Sequence, residues 1–540
     1  MQKSLFTLCL ICFLIDANAQ RNIDVLHYQY TIQLNDNNDT IYGQTEIVIK
    51  FLQAITSFAI DLASQNKQGK GMKVDSVISI GPDIKSYSAL NDKINITLSE
   101  RTPINDSLIF IINYHGLPSD GLIISKNKFG ERTFFADNWP NRAHNWIPCV
   151  DDPADKASFE FLVVAPSHYM VISNGIMPSE NEIIFNPFEK PELKNMKATH
   201  WKENIPLPTK IMAIGVADFA VKQFPDSPEN IPVSAWVYRR DSTNGFNDYS
   251  AAPAILKFLS AYIGPYPYKK LANVESKTIF GGMENASAIF YSEGTVTGKS
   301  EDESLMAHEI THQWFGDMAT EKSFAHLWLS EGFATYFAHI YIESKYGTDS
   351  LNREMQKDRD EIIEFARIWN KPVVDAVSPY MQLLNVNSYQ KGSWVLHMLR
   401  RQLDDSVFHQ IIRSYYDVYK GKNADTKDFE NIAEKVSGKN LSGFFQEWLY
   451  TPGIPQLNIQ WHYNKKTNEL SVTVTQSQKR IFQFPLQLEI ESQTQKDKTV
   501  TIGISKQKET FKFKVEKKLL HFTIDPFTSL LFEGKITEVK

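Results

Sequence analysis

The chain has 540 residues, 42% of them hydrophobic and 12% aromatic, enough for roughly three or four domains with real cores, which excludes a disordered or fibrous protein. Its 57 basic and 63 acidic residues give a net charge of −6, without the basic excess that binding a phosphate backbone favours, so no nucleic-acid partner is expected. Three cysteines form neither a disulfide framework nor a Cys-based zinc site.

In chain order, Lys3 precedes the apolar run Leu5 to Ile15 and then Ala17-Asn18-Ala19, the pattern of a signal peptide cleaved before Gln20. The run is well short of the roughly 20 residues that span a bilayer. Residues 1–19 are therefore expected to be removed on export to the periplasm or outside, taking Cys9 and Cys12 and leaving Cys149 alone. No later stretch is long and apolar enough to cross a membrane, so no integral membrane association is expected.

Tyr28, Tyr30, Ile32 and Leu34 alternate with polar residues, and the alternation resumes at Ile41 after the turn-forming stretch Asn35 to Asp39: a β-hairpin. Short strands of this kind continue to about Phe219. From about residue 250 the period becomes helical, beginning with Ile255, Leu256, Leu259 and Ile263 before Gly264-Pro265, and it persists to about Leu449. Beyond Thr451-Pro452-Gly453 period two returns, as in Leu470-Val472-Val474. The expected organisation is an N-terminal β domain over 20–223, a mainly helical domain over 224–450 and a C-terminal β-sandwich over 451–540, a multidomain α+β fold.

Within the helical part lies His308-Glu309-Ile310-Thr311-His312. Two histidines four apart on a helix project from one face and can hold one zinc ion. Ser300 and Glu303 have the spacing of a capping box for this helix. Glu331 follows after eighteen residues at the start of a second helical stretch. Two histidines and one carboxylate leave a position for water, the pattern of a catalytic rather than a structural zinc, and Glu309 is placed to take that water's proton. Upstream, Gly281-Gly282-Met283-Glu284-Asn285 combines paired glycines, which permit close backbone approach, with a carboxylate. Downstream, Tyr389-Gln390-Lys391-Gly392 precedes an amphipathic helix that runs on from Trp394.

GGMEN at 281–285, HEITHQWFGD at 308–317, WLSEGFATY at 328–336 and YQKG at 389–392 resemble the gluzincin zinc aminopeptidases of the aminopeptidase N and leukotriene hydrolase type. The resemblance extends from about Asp24 to about Leu488. It implies a β-saddle N-terminal domain, a thermolysin-like catalytic domain and a β-sandwich, in a short form without the large C-terminal helical domain of longer members and hence with a more open cleft. Carried over by position, it implies one zinc on His308, His312 and Glu331, with Glu309 as general base. Glu284 would hold the free amino group of a peptide substrate, Gly281, Gly282 and Met283 would line that substrate, and Tyr389 would stabilise the oxyanion. Where members place a second amino-group anchor this chain has Trp139, and Asp137 is the nearest acidic substitute. A thermolysin-like endopeptidase, or a zinc-binding scaffold without catalysis, are the alternative readings.

Overall fold

The structure, a computed structural model, describes residues 22–178, 195–494 and 498–539, so the signal-peptide expectation lies outside the described residues. The predicted hairpin is present as the antiparallel strands Ile23–Gln33 and Ile41–Phe51, with Tyr28 opposite Ile47. Asn35 closes the intervening turn, its Oδ1 accepting from the amides of Asn37 (2.9 Å) and Asn38 (3.0 Å). Strands Ala157–Pro166, Met196–Leu207, Ser107–Leu117 and Gly71–Ile80 extend this hairpin to six strands. Separate sheets of three and four strands complete the N-terminal β-rich part. Cys149 is a buried free thiol there, its backbone paired with that of Asp61.

The chain then departs from the predicted pattern. A five-stranded sheet runs in the order Phe219–Phe224, Val233–Tyr238, Leu271–Ser276, Ala288–Ser292, Gly282–Met283, ahead of and between the first helices. Val233–Tyr238 and Leu271–Ser276 are parallel and buried along their whole lengths, so neither shows the alternation that marks a half-exposed strand. The short edge strand Gly282–Met283 pairs only with Ala288–Ser292.

Helices Ala252–Tyr262, Glu303–His312, Trp328–Tyr346, Thr348–Ala366 and Gly392–Leu403 make up much of the middle of the chain. The expected cap of the second of these is not formed. Ser300 sits at φ +56° with its amide on Asp248 Oδ1 (2.7 Å), while Glu303 reaches across to Tyr341 (2.6 Å) and Tyr346 (2.9 Å). Two C-terminal sheets, of four and three strands, share a core and meet where Trp461 of one packs on Phe522 of the other, ring centroids 5.2 Å apart. The fold is thus β-rich, then helical, then a β-sandwich. Among the described residues no helix is long and apolar enough to cross a membrane.

Two lysines, Lys210 buried and Lys156 half-buried, join the N-terminal sheets to the helical part. Lys210 Nζ lies 2.5 Å from Glu321 Oε1, both side chains essentially inaccessible. Lys156 Nζ donates to the carbonyls of Asp317 (3.3 Å), Met318 (2.9 Å) and Lys422 (3.1 Å).

Candidate active site

His308 and His312 stand one turn apart on the Glu303–His312 helix, and Glu331 lies in the first turn of Trp328–Tyr346. The two helices are antiparallel neighbours: Ser330 meets His312 at one end and Tyr341 meets Glu303 at the other. The histidine Nε2 atoms are 3.0 Å apart, and each is 3.3 Å from Glu331 Oε2. His312 Nδ1 is 3.1 Å from the Phe315 carbonyl, which can only accept, so Nδ1 carries the proton and Nε2 presents a lone pair. Gly316, at φ +116°, turns the backbone there, and a Cβ on it would collide with Ser330 Oγ.

These residues fit a metal ion. One proton cannot satisfy three acceptor atoms so close together, whereas a cation at their centre satisfies all three, and their ligand atoms lie within 4.8 Å of one another. The local charge points the same way. Burial pushes the Glu309 carboxyl up, with His312 opposing and Glu284 and Glu331 adding to the rise. Burial likewise raises Glu284. Burial also works against the charge on Glu331, but the two histidines outweigh it and hold that carboxyl well below its usual range. Three buried carboxylates around two imidazoles call for added positive charge.

The remaining predicted residues surround this cluster. Glu309 is 4% exposed and abuts Gly282 so closely that a Cβ there would run into its carboxylate. Gly281 faces Leu305 of the same helix, and Met283 is buried. Glu284 is 5% exposed, and its Oε1 has no hydrogen-bond partner. Tyr389 lies in a π-helical turn, Asn387–Lys391, with its ring stacked on His308 at 5.9 Å and its hydroxyl toward Glu331. Burial, then the nearby carboxylates, push its pKa well up, so the phenol stays a donor. All of these line one cavity of about 470 Å³. None of its lining residues comes from the C-terminal sheets.

Asp137 is the exception. It is fully buried but does not line the cavity. Its Oδ1 pairs with Arg142 at 2.5 Å, and its Oδ2 accepts from Thr278 Oγ1 (3.1 Å) and the Ile279 amide (3.0 Å). Both oxygens are therefore engaged within the protein, and Trp139 is the residue of that segment that reaches the cavity. Gln313 and Ser330 carry no role in the sequence reading, although both lie inside quoted motifs. Gln313 Nε2 holds the Glu284 carbonyl at 2.9 Å while its Oε1 takes the Ser287 amide at 2.7 Å, and Ser330 Oγ is 3.1 Å from His312 Nδ1.

Comparison with known proteins agrees with this architecture. Residues 25–210 match the peptidase M1 N-terminal domain, and residues 248–448, which contain the whole histidine and glutamate cluster, match the peptidase family M1 domain. The chain belongs to peptidase family M1. Probable aminopeptidase 2 of Sulfurisphaera tokodaii is 30% identical to it over 331 residues, 58% of this chain and 40% of that protein. Aminopeptidase M1-C of Oryza sativa subsp. japonica is 28% identical over 333 residues, 59% of this chain and 37% of that protein. Tricorn protease-interacting factor F2 of Thermoplasma acidophilum is 28% identical over 389 residues, 68% of this chain and 47% of that protein. The chain thus spans less than half the length of each of these relatives. The family is zinc-dependent, and the cluster of this M1 chain is the donor set that zinc takes.

Proposed function

We propose that this chain is a zinc aminopeptidase that hydrolyses the first peptide bond of peptides with a free N-terminus. The observation that carries the reading is Glu284, a buried carboxylate with an unpartnered oxygen on the same cavity as the His308, His312 and Glu331 cluster. A terminal ammonium brings a positive charge and three donors to Glu284, whereas an internal peptide bond brings one uncharged N–H.

One zinc on His308, His312 and Glu331 would polarise the scissile carbonyl and make water acidic enough to react near neutral pH. Glu309 removes the water proton and delivers it to the departing amine. The Tyr389 hydroxyl, held protonated, donates to the carbonyl oxygen as negative charge develops on it. Gly282, lacking a side chain, leaves room for the Glu309 carboxylate that packs against it. Export through removal of residues 1–19 completes the reading, and an N-terminus at Gln20 in the secreted protein is its check.

The test is a panel of aminoacyl anilides with N-acetylated controls, on enzyme holding one equivalent of zinc. Turnover is expected only for free amines, is lost on chelation, and falls roughly 10²–10⁴-fold in Glu309→Gln. Equal cleavage of blocked and free peptides would establish an endopeptidase instead, and zinc binding without turnover would establish a scaffold.

A further inference from the structure

The cavity has a direction. The segment from Gly281 to Glu284 runs antiparallel to the Glu303–His312 helix: the Glu284 carbonyl is held by Gln313, Gly282 abuts Glu309, and Gly281 faces Leu305. From residue 313 back to 305 is about 12 Å at 1.5 Å per helical residue, the span of three or four residues of extended peptide, with the histidines in between. A peptide with its ammonium at Glu284 and its first carbonyl at the His308, His312 and Glu331 cluster therefore sends its next residues toward the Leu305 end.

That end carries side chains the reaction does not use. From the Thr348–Ala366 helix, Glu354, Lys357, Asp358 and Glu361 all line the cavity, and their spacing puts them on one face. His339 joins them from the Trp328–Tyr346 helix, two turns beyond Glu331 on the side that runs toward Tyr341 and Glu303. It is 6% exposed, and its Nε2 donates to Asp358 Oδ2 at 2.9 Å. Its Nδ1 is buried with no partner. Glu361 uses only Oε2, which accepts from Gln390 at 2.9 Å. Glu354 has no hydrogen-bond or ion-pair partner among the described residues. Lys357 is the one cation of the group, and its side chain is exposed.

We infer that this end of the cavity recognises a lysine or arginine side chain on one of the two residues that follow the cleaved bond. Three carboxylates, beside the unpartnered Nδ1 of His339, face one exposed ammonium, and a cationic side chain brings the donors the carboxylates lack. The inference rests on the aminopeptidase reading, which sets where the N-terminus lies.

The experiment compares kcat/KM for Ala-Arg-Ala, Ala-Ala-Arg and their Leu and Glu counterparts on the zinc-loaded full chain, with alanine anilide as a substrate that lacks these residues. Arg is expected to exceed Leu, and Leu to exceed Glu, at one of the two positions, by roughly three- to tenfold per step. Glu354→Gln is expected to shrink the Arg to Glu ratio, Glu354→Lys to invert it and Lys357→Ala to enlarge it. Each is a ratio within one variant, so a partly folded preparation does not mimic the result. Anilide and peptides turned over without an Arg preference, or with a ratio that Glu354→Lys leaves in place, would overturn the inference while leaving the aminopeptidase reading intact. No turnover of any substrate would overturn both.

Discussion

Gly332 and Gly392 stand back to back where the Trp328–Tyr346 helix crosses the start of Gly392–Leu403. A Cβ on Gly332 would lie 2.9 Å from Gly392 Cα, and one on Gly392 would lie 3.0 Å from Gly332 Cα. Gly332 follows Glu331 directly, and Gly392 comes three residues after Tyr389. This backbone contact therefore sets how far the carboxylate of Glu331 stands from the phenol of Tyr389.

Adding a methyl group at Gly332 forces the two helices apart. Gly332→Ala is expected to destabilise the protein by about 1–3 kcal/mol and to lower kcat at least about tenfold through the displaced Tyr389. Gly443, also in a helix but with open space at its Cβ, is the control: Gly443→Ala is expected to stabilise by about 0.5–1 kcal/mol with kcat unchanged. Thermal unfolding and kcat on an anilide measure both. Wild-type kcat in Gly332→Ala would show that the contact does not govern the site.

Ser330 and the Phe315 carbonyl hold the His312 ring from behind. Ser330→Ala removes one of these contacts, and zinc affinity is expected to fall about tenfold in competition with a chelating dye. An unchanged affinity would mean that Phe315 alone orients the ring.

Zinc bound only by the folded chain also stabilises it. Free zinc at about 1,000 times its Kd adds about 4 kcal/mol, so chelation should lower Tm by several degrees. His308→Ala, lacking a ligand, should melt at the same temperature with or without chelator. A chelation shift that persists in His308→Ala would place the stabilising metal elsewhere.

Far from this site, Glu160 gives a pH signature. Burial alone would raise its carboxyl, but the contacts from His200 (2.7 Å), His27 (3.6 Å) and Lys202 (2.7 Å) outweigh burial and hold it well below the usual carboxylate range. Its folded pKa is depressed, so the stability it contributes is present above its unfolded pKa of about 4.3 and is lost as pH falls from there through the folded value. The gap in urea midpoint between wild type and Glu160→Gln should be widest above about pH 5 and shrink steadily as pH falls from about 4 to about 3. A gap that holds constant across that range would remove Glu160 from the acid response.

What the sequence makes legible here is local. The i, i+4 spacing of His308 and His312 needs only a helix to bring both rings to one face, and the Asn-rich turn after Leu34 needs only its own Asn35. What it hides depends on partners far along the chain. Asp137 looks like a loop carboxylate until Thr278, 141 residues on, closes over it. The strands at 233–238 and 271–276 lack alternation because both their faces are covered. The acidic face of Thr348–Ala366 reads as an ordinary solvated helix surface, and only its packing beside the Trp328–Tyr346 helix turns it into a cavity wall.

Lys156 and Lys210 have a consequence for how this chain can be cut and recombined. Both belong to the β-rich part, yet their ammonium groups end among the residues that follow the His312 turn, and Glu321 has Lys210 as its cation in an interior closed to water. A fragment beginning near residue 224 would keep every predicted metal ligand and strand a carboxylate without its counter-charge. The change from strands to helices along the chain is a seam in architecture but not in stability. The β-rich part is expected to be inherited, expressed and unfolded together with the cluster of His308, His312 and Glu331.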